Sequence, residues 1–147
     1  MKIGLMGCAH SHVNIYCTQW NRDASLDIQP MAVWDRDGAR GARMAEQFGL
    51  QICDSPAALL ERTDLGAVIV ASETSLHAEL VEVAAAAGKA IVLQKPMALT
   101  LAEGQRIAAA VASFFGRARG DAVERRRVRA RLRPRSRRPR LCVPRSR

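Results

Sequence analysis

The feature that most constrains this chain is a rhythm. Over its first 116 residues, short apolar runs of strand length alternate with longer stretches of helical periodicity. KIGLMG (2–7), IQPMAVWD (28–35), QIC (51–53), GAVIVAS (66–72) and AIVLQ (90–94) read as strands. GAVIVAS is continuous and β-branched, as a strand covered on both faces should be. Between the strands, HVNIYCTQW (12–20) places Val13, Tyr16, Cys17 and Trp20 at helical spacing. Residues 36–49 read as a helix weakened by Gly38 and Gly41 and closed by Gly49. Ser55-Pro56 supplies an N-cap and a first-turn proline for a helix through about Arg62. Residues 75–89 carry Leu76, Leu80, Val83 and Ala87 along one face, with Gly88 as the stop. Thr100 and Glu103 form a capping box that opens a helix to about Phe114. Strands and helices alternating at this spacing predict βαβ units, hence an α/β fold with a doubly wound, mainly parallel sheet.

The rhythm stops near Phe115, and the charge changes there too. The formal charge of +9 is confined to the end of the chain. Residues 1–116 hold nine Lys and Arg against twelve Asp and Glu, whereas residues 117–147 hold fourteen arginines against Asp121 and Glu124. All three lysines (Lys2, Lys89, Lys95) precede this segment. The division expected is therefore a globular unit over 1–116 and an arginine-rich irregular tail over 117–147. Two origins stay open for the tail. A GC-rich coding sequence read out of frame yields Arg, Pro, Ala and Gly with little Lys; a genuine basic, disordered tail is the other. A genuine tail would contact nucleic acid non-specifically through phosphates, with strong salt dependence.

The four cysteines show no CxxC and no close pairing, which fits a reducing, cytoplasmic compartment. No run of about twenty apolar residues is present, so no membrane span is expected.

Open parallel sheets bind ligands at the carboxyl ends of their strands, where the strand order reverses. The turn after the first strand, GCAHSH (7–12), is such a place. A dinucleotide loop needs a glycine for the tight turn, bare backbone near the pyrophosphate and a small third residue for helix–strand packing. Gly7 serves the first role, Ala9 is a mild substitution at the second, and His12 departs from the third. Cys8, His10 and His12 also suggest a metal set, but a structural zinc takes four ligands and only His77 remains among the histidines, so no metal is expected. His10 and His12 are then ligand-lining or structural. Asp35 ends the second strand, where an acid accepts hydrogen bonds from the adenosine ribose and repels a 2′-phosphate. Arg36 beside it could offset that repulsion, leaving a lean toward NAD over NADP. Ser72, Thr74 and Ser75 leave one strand end and Lys95, held by Pro96, leaves another, all toward the edge carrying Gly7.

At ASETSLHAELVEVAAAAGKAIVLQKPM, the chain resembles the N-terminal Rossmann domain of the Gfo/Idh/MocA family of NAD(P)-dependent oxidoreductases, over roughly residues 1–113. Ser72, His77, Gly88, Lys89, Lys95 and Pro96 match the family pattern, in which a strand end is followed by a His-bearing helix, Gly-Lys, a strand and Glu-Lys-Pro. The resemblance implies that Lys95 sits beside the nicotinamide and acts on a substrate hydroxyl or carbonyl. It implies cofactor contacts from Gly7, Asp35 and Ser72, with Thr74, His77, Gln94 and Pro96 in the same surroundings. Gln94 stands where the family has an acid, keeping hydrogen-bonding capacity without charge. The implied parent oxidises or reduces a sugar-like or polyol CH–OH group using NAD or NADP. Because the family continues into a further strand and a substrate domain, the sheet is expected to be incomplete on its C-terminal side and this chain to turn over little substrate alone. A nucleic-acid-binding protein and a non-functional truncated product are the other expectations.

Overall fold

The computed structural model describes residues 1–114; the expectations for 117–147 lie outside the described residues. The described strands are β1 (Lys2–Met6), β2 (Gln29–Trp34), β3 (Gln51–Ile52), β4 (Ala67–Val70) and β5 (Ala90–Leu93). They form one sheet in the order β3-β2-β1-β4-β5, and every pairing is parallel. The winding reverses between β1 and β4, so their carboxyl ends define the switch point.

Among the described residues five α-helices connect and flank the strands: α1 (His12–Arg22), α2 (Gly38–Phe48), α3 (Pro56–Leu60), α4 (His77–Ala86) and α5 (101–114). Side chains alternate across a strand, and here each face has its own core. Ile3, Leu5, Val33 and Ile69 pack with Val13 and Cys17 of α1 and Met44 of α2. Met6, Ala32, Val68 and Val70 pack with Leu59 and Leu60 of α3, Leu80, Val81 and Ala84 of α4, and Ile107 of α5. Gly4 lets the second core close, since a Cβ there would lie 2.7 Å from Leu59 Cδ2.

Local chemistry sets the helix ends. Asp37 caps α2 by accepting from the amides of Ala39 and Arg40, so this helix starts later than the periodicity predicts. Gly49 ends it in the left-handed conformation at φ 66°. Ser55 Oγ accepts from the Ala58 amide at the start of α3. Thr100 and Glu103 exchange hydrogen bonds as a capping box for α5. Helix α3 stops at Leu60, short of Arg62, because residues 62–65 turn sharply into β4 with the Leu65 amide donating to the Arg62 carbonyl. Lys89 fastens that turn. Its buried ammonium donates to the carbonyls of Arg62 at 2.7 Å and Leu65 at 2.9 Å.

Candidate functional site

The site is built around Gly7, the residue that leaves β1. Its φ is 88°, a conformation that side-chain-bearing residues rarely adopt. A Cβ there would also fall 2.5 Å from both Cα and Cβ of Ser72, at the exit of β4. The Gly7 amide donates to the Trp34 carbonyl at 2.7 Å and the His10 amide to the Ala71 carbonyl at 3.1 Å. The turn is thus tied to β2 on one side and β4 on the other. Ala9 is exposed on its crest.

Helix α1 begins directly after this turn, and Ser11 at its N-cap makes no side-chain cap. By contrast α2, α3 and α5 are each capped by a side chain. Helix α4 also lacks a side-chain cap, but of the two uncapped helices it is α1 whose amide end adjoins the glycine turn, where it can stabilise an anion.

His12, at the third position of the loop, does not disturb the helix–strand contact. Val13 and Cys17 make that contact, exposed by 1% and 0%. The His12 ring instead lies along the outside of α1, stacked on His10 with centroids 4.7 Å apart and facing Tyr16 at 6.1 Å. Nδ1 of each histidine is shielded and without a hydrogen-bond partner among the described residues. Burial, then the neighbouring His12, Lys95 and His77, hold the His10 imidazole below its ordinary pKa. Buried Gln94 donates through Nε2 to the Tyr16 hydroxyl at 2.9 Å. His10, His12, Gln94 and Lys95 thus gather at one end of the turn with Tyr16 among them. Lys95 and Pro96 are exposed, joined by a cis peptide.

The other end of the turn is acidic. Asp35 is buried, and its carboxylate accepts four hydrogen bonds. Oδ2 takes the Cys8 amide at 2.6 Å and Arg40 Nε at 2.8 Å; Oδ1 takes the Asp37 amide at 2.8 Å and Arg40 Nη2 at 2.7 Å. Arg40 Nη2 also donates to Glu73 Oε1 at 2.6 Å. Arg36, expected to offset Asp35, is exposed, and the offsetting cation is Arg40 in the first turn of α2. Burial, followed by the Asp35 charge, pushes the Cys8 thiol up to about 12, so it is no nucleophile near neutrality.

Two of the expected cofactor residues sit beneath the loop surface. Ser72 is 3% exposed, and its backbone is what Gly7 packs against. His77 is 1% exposed, with Nε2 3.2 Å from the Ser72 carbonyl and Nδ1 3.3 Å from the Met97 carbonyl. It joins the β4 and β5 exit loops rather than presenting its ring to the edge. Thr74 lies half-buried in the 3-10 turn Thr74–Leu76. Among the described residues no group of three or more His, Cys, Asp or Glu is placed to hold a metal.

The sequence reading missed Tyr16, Arg40 and Glu73. Tyr16 stands at helical spacing with Val13 and Cys17, and that spacing alone does not mark it as a site residue. Arg40 follows Asp37 by three residues, so an N-cap reading of Asp37 would have placed it in the first turn of α2, above the end of β2. Nothing in the sequence marks Glu73. An apolar groove of about 540 Å³ lies between α3 and α4, lined by Pro56, Leu60, Leu80 and Val83 among others, with no residue from the β1 or β5 exit loops.

A parallel doubly wound sheet with a glycine turn at its switch point, leading into an uncapped helix, defines a nucleotide-binding Rossmann domain. The shielded, unpartnered nitrogens of His10 and His12, beside the tight turn that only Gly7 permits against Ser72, fit a ligand such as a dinucleotide. The chain belongs to the Gfo/Idh/MocA oxidoreductase family, described as having an NAD-binding Rossmann fold, whose family model matches residues 1–114. It is 32% identical over 112 residues to the dTDP-3,4-didehydro-2,6-dideoxy-alpha-D-glucose 3-reductase of Actinomadura kijaniata, covering 73% of this chain and 32% of that protein. It is 34% identical over 110 residues to the D-apiose dehydrogenase of Paraburkholderia graminis, covering 74% of this chain and 28% of that protein. Among solved structures, a 3-ketoreductase from Actinomadura kijaniata in complex with NADP and TDP-benzene superposes with TM-score 0.66 at 28% identity, covering 78% of this chain and 34% of that one. A dehydrogenase from Chromobacterium violaceum in complex with NADH and UDP-GlcNAcA shares the fold, with TM-score 0.70 at 23% identity over 78% of this chain and 32% of that one. The chain spans about a third of the length of the curated relatives it matches. No helix among the described residues is long and apolar enough to cross a membrane.

Proposed function

We propose that residues 1–114 form the cofactor half of an oxidoreductase acting on a CH–OH group of a sugar-like or polyol substrate. The observation that carries this reading is the Gly7 turn: left-handed backbone, no room for a side chain against Ser72, and an uncapped α1 behind it. A nicotinamide dinucleotide would lie across this edge, with its pyrophosphate over the turn, where α1 and the loop amides stabilise negative charge. The bound nicotinamide supplies the hydride acceptor or donor.

The protein's own groups divide the remaining work. Lys95, exposed at the β5 exit, would donate to the substrate oxygen and stabilise negative charge there. His10, held below its ordinary pKa, is neutral near pH 7 and keeps a second cation away from Lys95. Tyr16 and Gln94 fix the floor on which the Lys95 loop rests. The sugar class rests on the relatives, which include a nucleotide-sugar reductase and an apiose dehydrogenase. Hydride transfer also requires the substrate to be held in line, and that positioning is a large part of the rate. In this reading the substrate-holding groups lie outside residues 1–114, so these residues bind cofactor and contribute little turnover by themselves. Nicotinamide fluorescence of NADH and NADPH titrated with the full chain is the test, and saturable binding of at least one is expected. Complete absence of binding would sink the reading.

A further inference from the structure

We propose that Glu73, rather than Asp35, is the carboxylate that receives the 2′-hydroxyl of the adenosine ribose, and that Glu73 makes the site selective for the unphosphorylated dinucleotide. The inference rests on the dinucleotide-binding reading above.

An acid at the end of β2 is the expected ribose acceptor, but here its capacity is spent. A carboxylate offers about four acceptor positions. Those of Asp35 are taken by the Cys8 amide, the Asp37 amide and two nitrogens of Arg40, and its side chain is 0% exposed. To accept a ribose hydroxyl, Asp35 would have to release either the glycine turn or the guanidinium. Both losses would leave a buried polar group unpaired.

Glu73 is in the opposite condition. It follows Ser72, the residue Gly7 packs against, so it stands on the β4 side of the switch point. One oxygen is fixed by Arg40 at 2.6 Å, while Oε2 is shielded and has no donor among the described residues. The side chain as a whole is 42% exposed. The terminal torsion of a glutamate is broad, so a small turn brings the unpartnered oxygen to an approaching hydroxyl. A ribose hydroxyl would supply the donor that the carboxylate lacks.

The charge balance then sets the preference. One guanidinium serves two carboxylates, so the cluster carries a formal excess of one negative charge. The nearness of its own backbone amide, and Arg40 beside it, hold the Glu73 carboxyl below the ordinary range, so it stays ionised near neutrality. A 2′-phosphate would bring further negative charge against a carboxylate whose cation is already shared. Selectivity thus arises from a repulsive element as well as from the hydrogen bond.

The test titrates the full chain and its Glu73→Gln variant with NADH, NADPH and 2′-deoxy-NADH. The wild-type chain is expected to bind NADH more tightly than either analogue. In Glu73→Gln, the preference for NADH over NADPH should fall by about tenfold, the factor that 1.4 kcal/mol of differential binding gives. The discrimination against 2′-deoxy-NADH should fall with it. An unchanged NADH-to-NADPH ratio in the variant, with both nucleotides bound, overturns this inference and leaves the dinucleotide reading standing. Failure of the wild-type chain to bind any of the three overturns both. Should the variant lose its cooperative melt, the wild-type comparison still decides: equal affinity for NADH and 2′-deoxy-NADH overturns the inference.

Discussion

Gly7 and Ser72 meet with no space for a side chain between them: a Cβ built on Gly7 would lie 2.5 Å from Cα and Cβ of Ser72. Backbone is packed directly on backbone where β1 and β4 diverge. Because φ of Gly7 is also 88°, an alanine there meets both a steric and a conformational penalty. Gly7→Ala is expected to destabilise the fold by roughly 2–4 kcal/mol and to abolish dinucleotide binding. Chemical denaturation and NADH titration of the same preparation check the two effects together.

The second prediction concerns alkaline pH. The Cys8 thiol rises from an ordinary 9.0 to about 12 in the folded chain, through burial first and Asp35 second; burial takes Cys17 from 9.0 to about 11. The unfolded chain therefore releases these protons first. Between about pH 9 and 12 the folded state holds more protons, so stability falls as pH rises through that window. Cys8→Ala should flatten this limb of the melting-temperature profile. An identical slope in the variant would rule Cys8 out as its source.

Lys89 provides a stability test remote from the cofactor edge. Lys89→Met keeps the apolar stem but takes the ammonium from the carbonyls of Arg62 and Leu65, leaving that of Arg62 only the long bond from the Leu65 amide. A loss of about 1–3 kcal/mol is expected, with the NADH-to-NADPH preference unchanged. Urea denaturation measures the first and fluorescence titration the second.

Gln94 stands where the family resemblance implies an acid. Its partner, the Tyr16 hydroxyl, now accepts from Nε2, and a hydroxyl can equally well donate. Gln94→Glu is therefore expected to change stability by less than about 1 kcal/mol, whereas Gln94→Leu, which leaves Tyr16 unpaired, should cost about 1 kcal/mol or more. Equal melting temperatures for the Glu and Leu variants would show that the Tyr16 contact carries no weight.

Much of this architecture was legible in the residues alone. Strand runs, capping residues and terminal glycines act locally, so Ser55, Thr100–Glu103 and Gly49 announce their helix ends wherever they occur. The parallel order followed from the alternation of elements. The candidate site was legible only in outline. Gly7, His10, His12, Gln94 and Lys95 were expected there, and the fold gathers them at one edge. The surroundings of Asp35 were not foreseeable from spacing, because the Cys8 amide reaches Asp35, and Glu73 reaches the Arg40 that pairs with it, only once three strands lie side by side. Arg36 was singled out for being adjacent in sequence. Adjacent residues point apart as the chain turns into α2, and the arginine four positions later returns to the same place. The resemblance puts His77 among the cofactor surroundings, and a histidine beginning a helix has no sequence mark of the burial found here.

That histidine has a mechanical consequence. With one ring nitrogen against the Ser72 carbonyl and the other against that of Met97, His77 works as a crossbar between loops twenty-five residues apart in sequence. A neutral ring donates through only one of these nitrogens, so the crossbar has a firm end and a slack end, exchanged by a change of tautomer. The loop bearing Lys95 is thus tied through this imidazole, and through the Gln94 amide on the Val70 carbonyl, to the strand exit that Gly7 packs against.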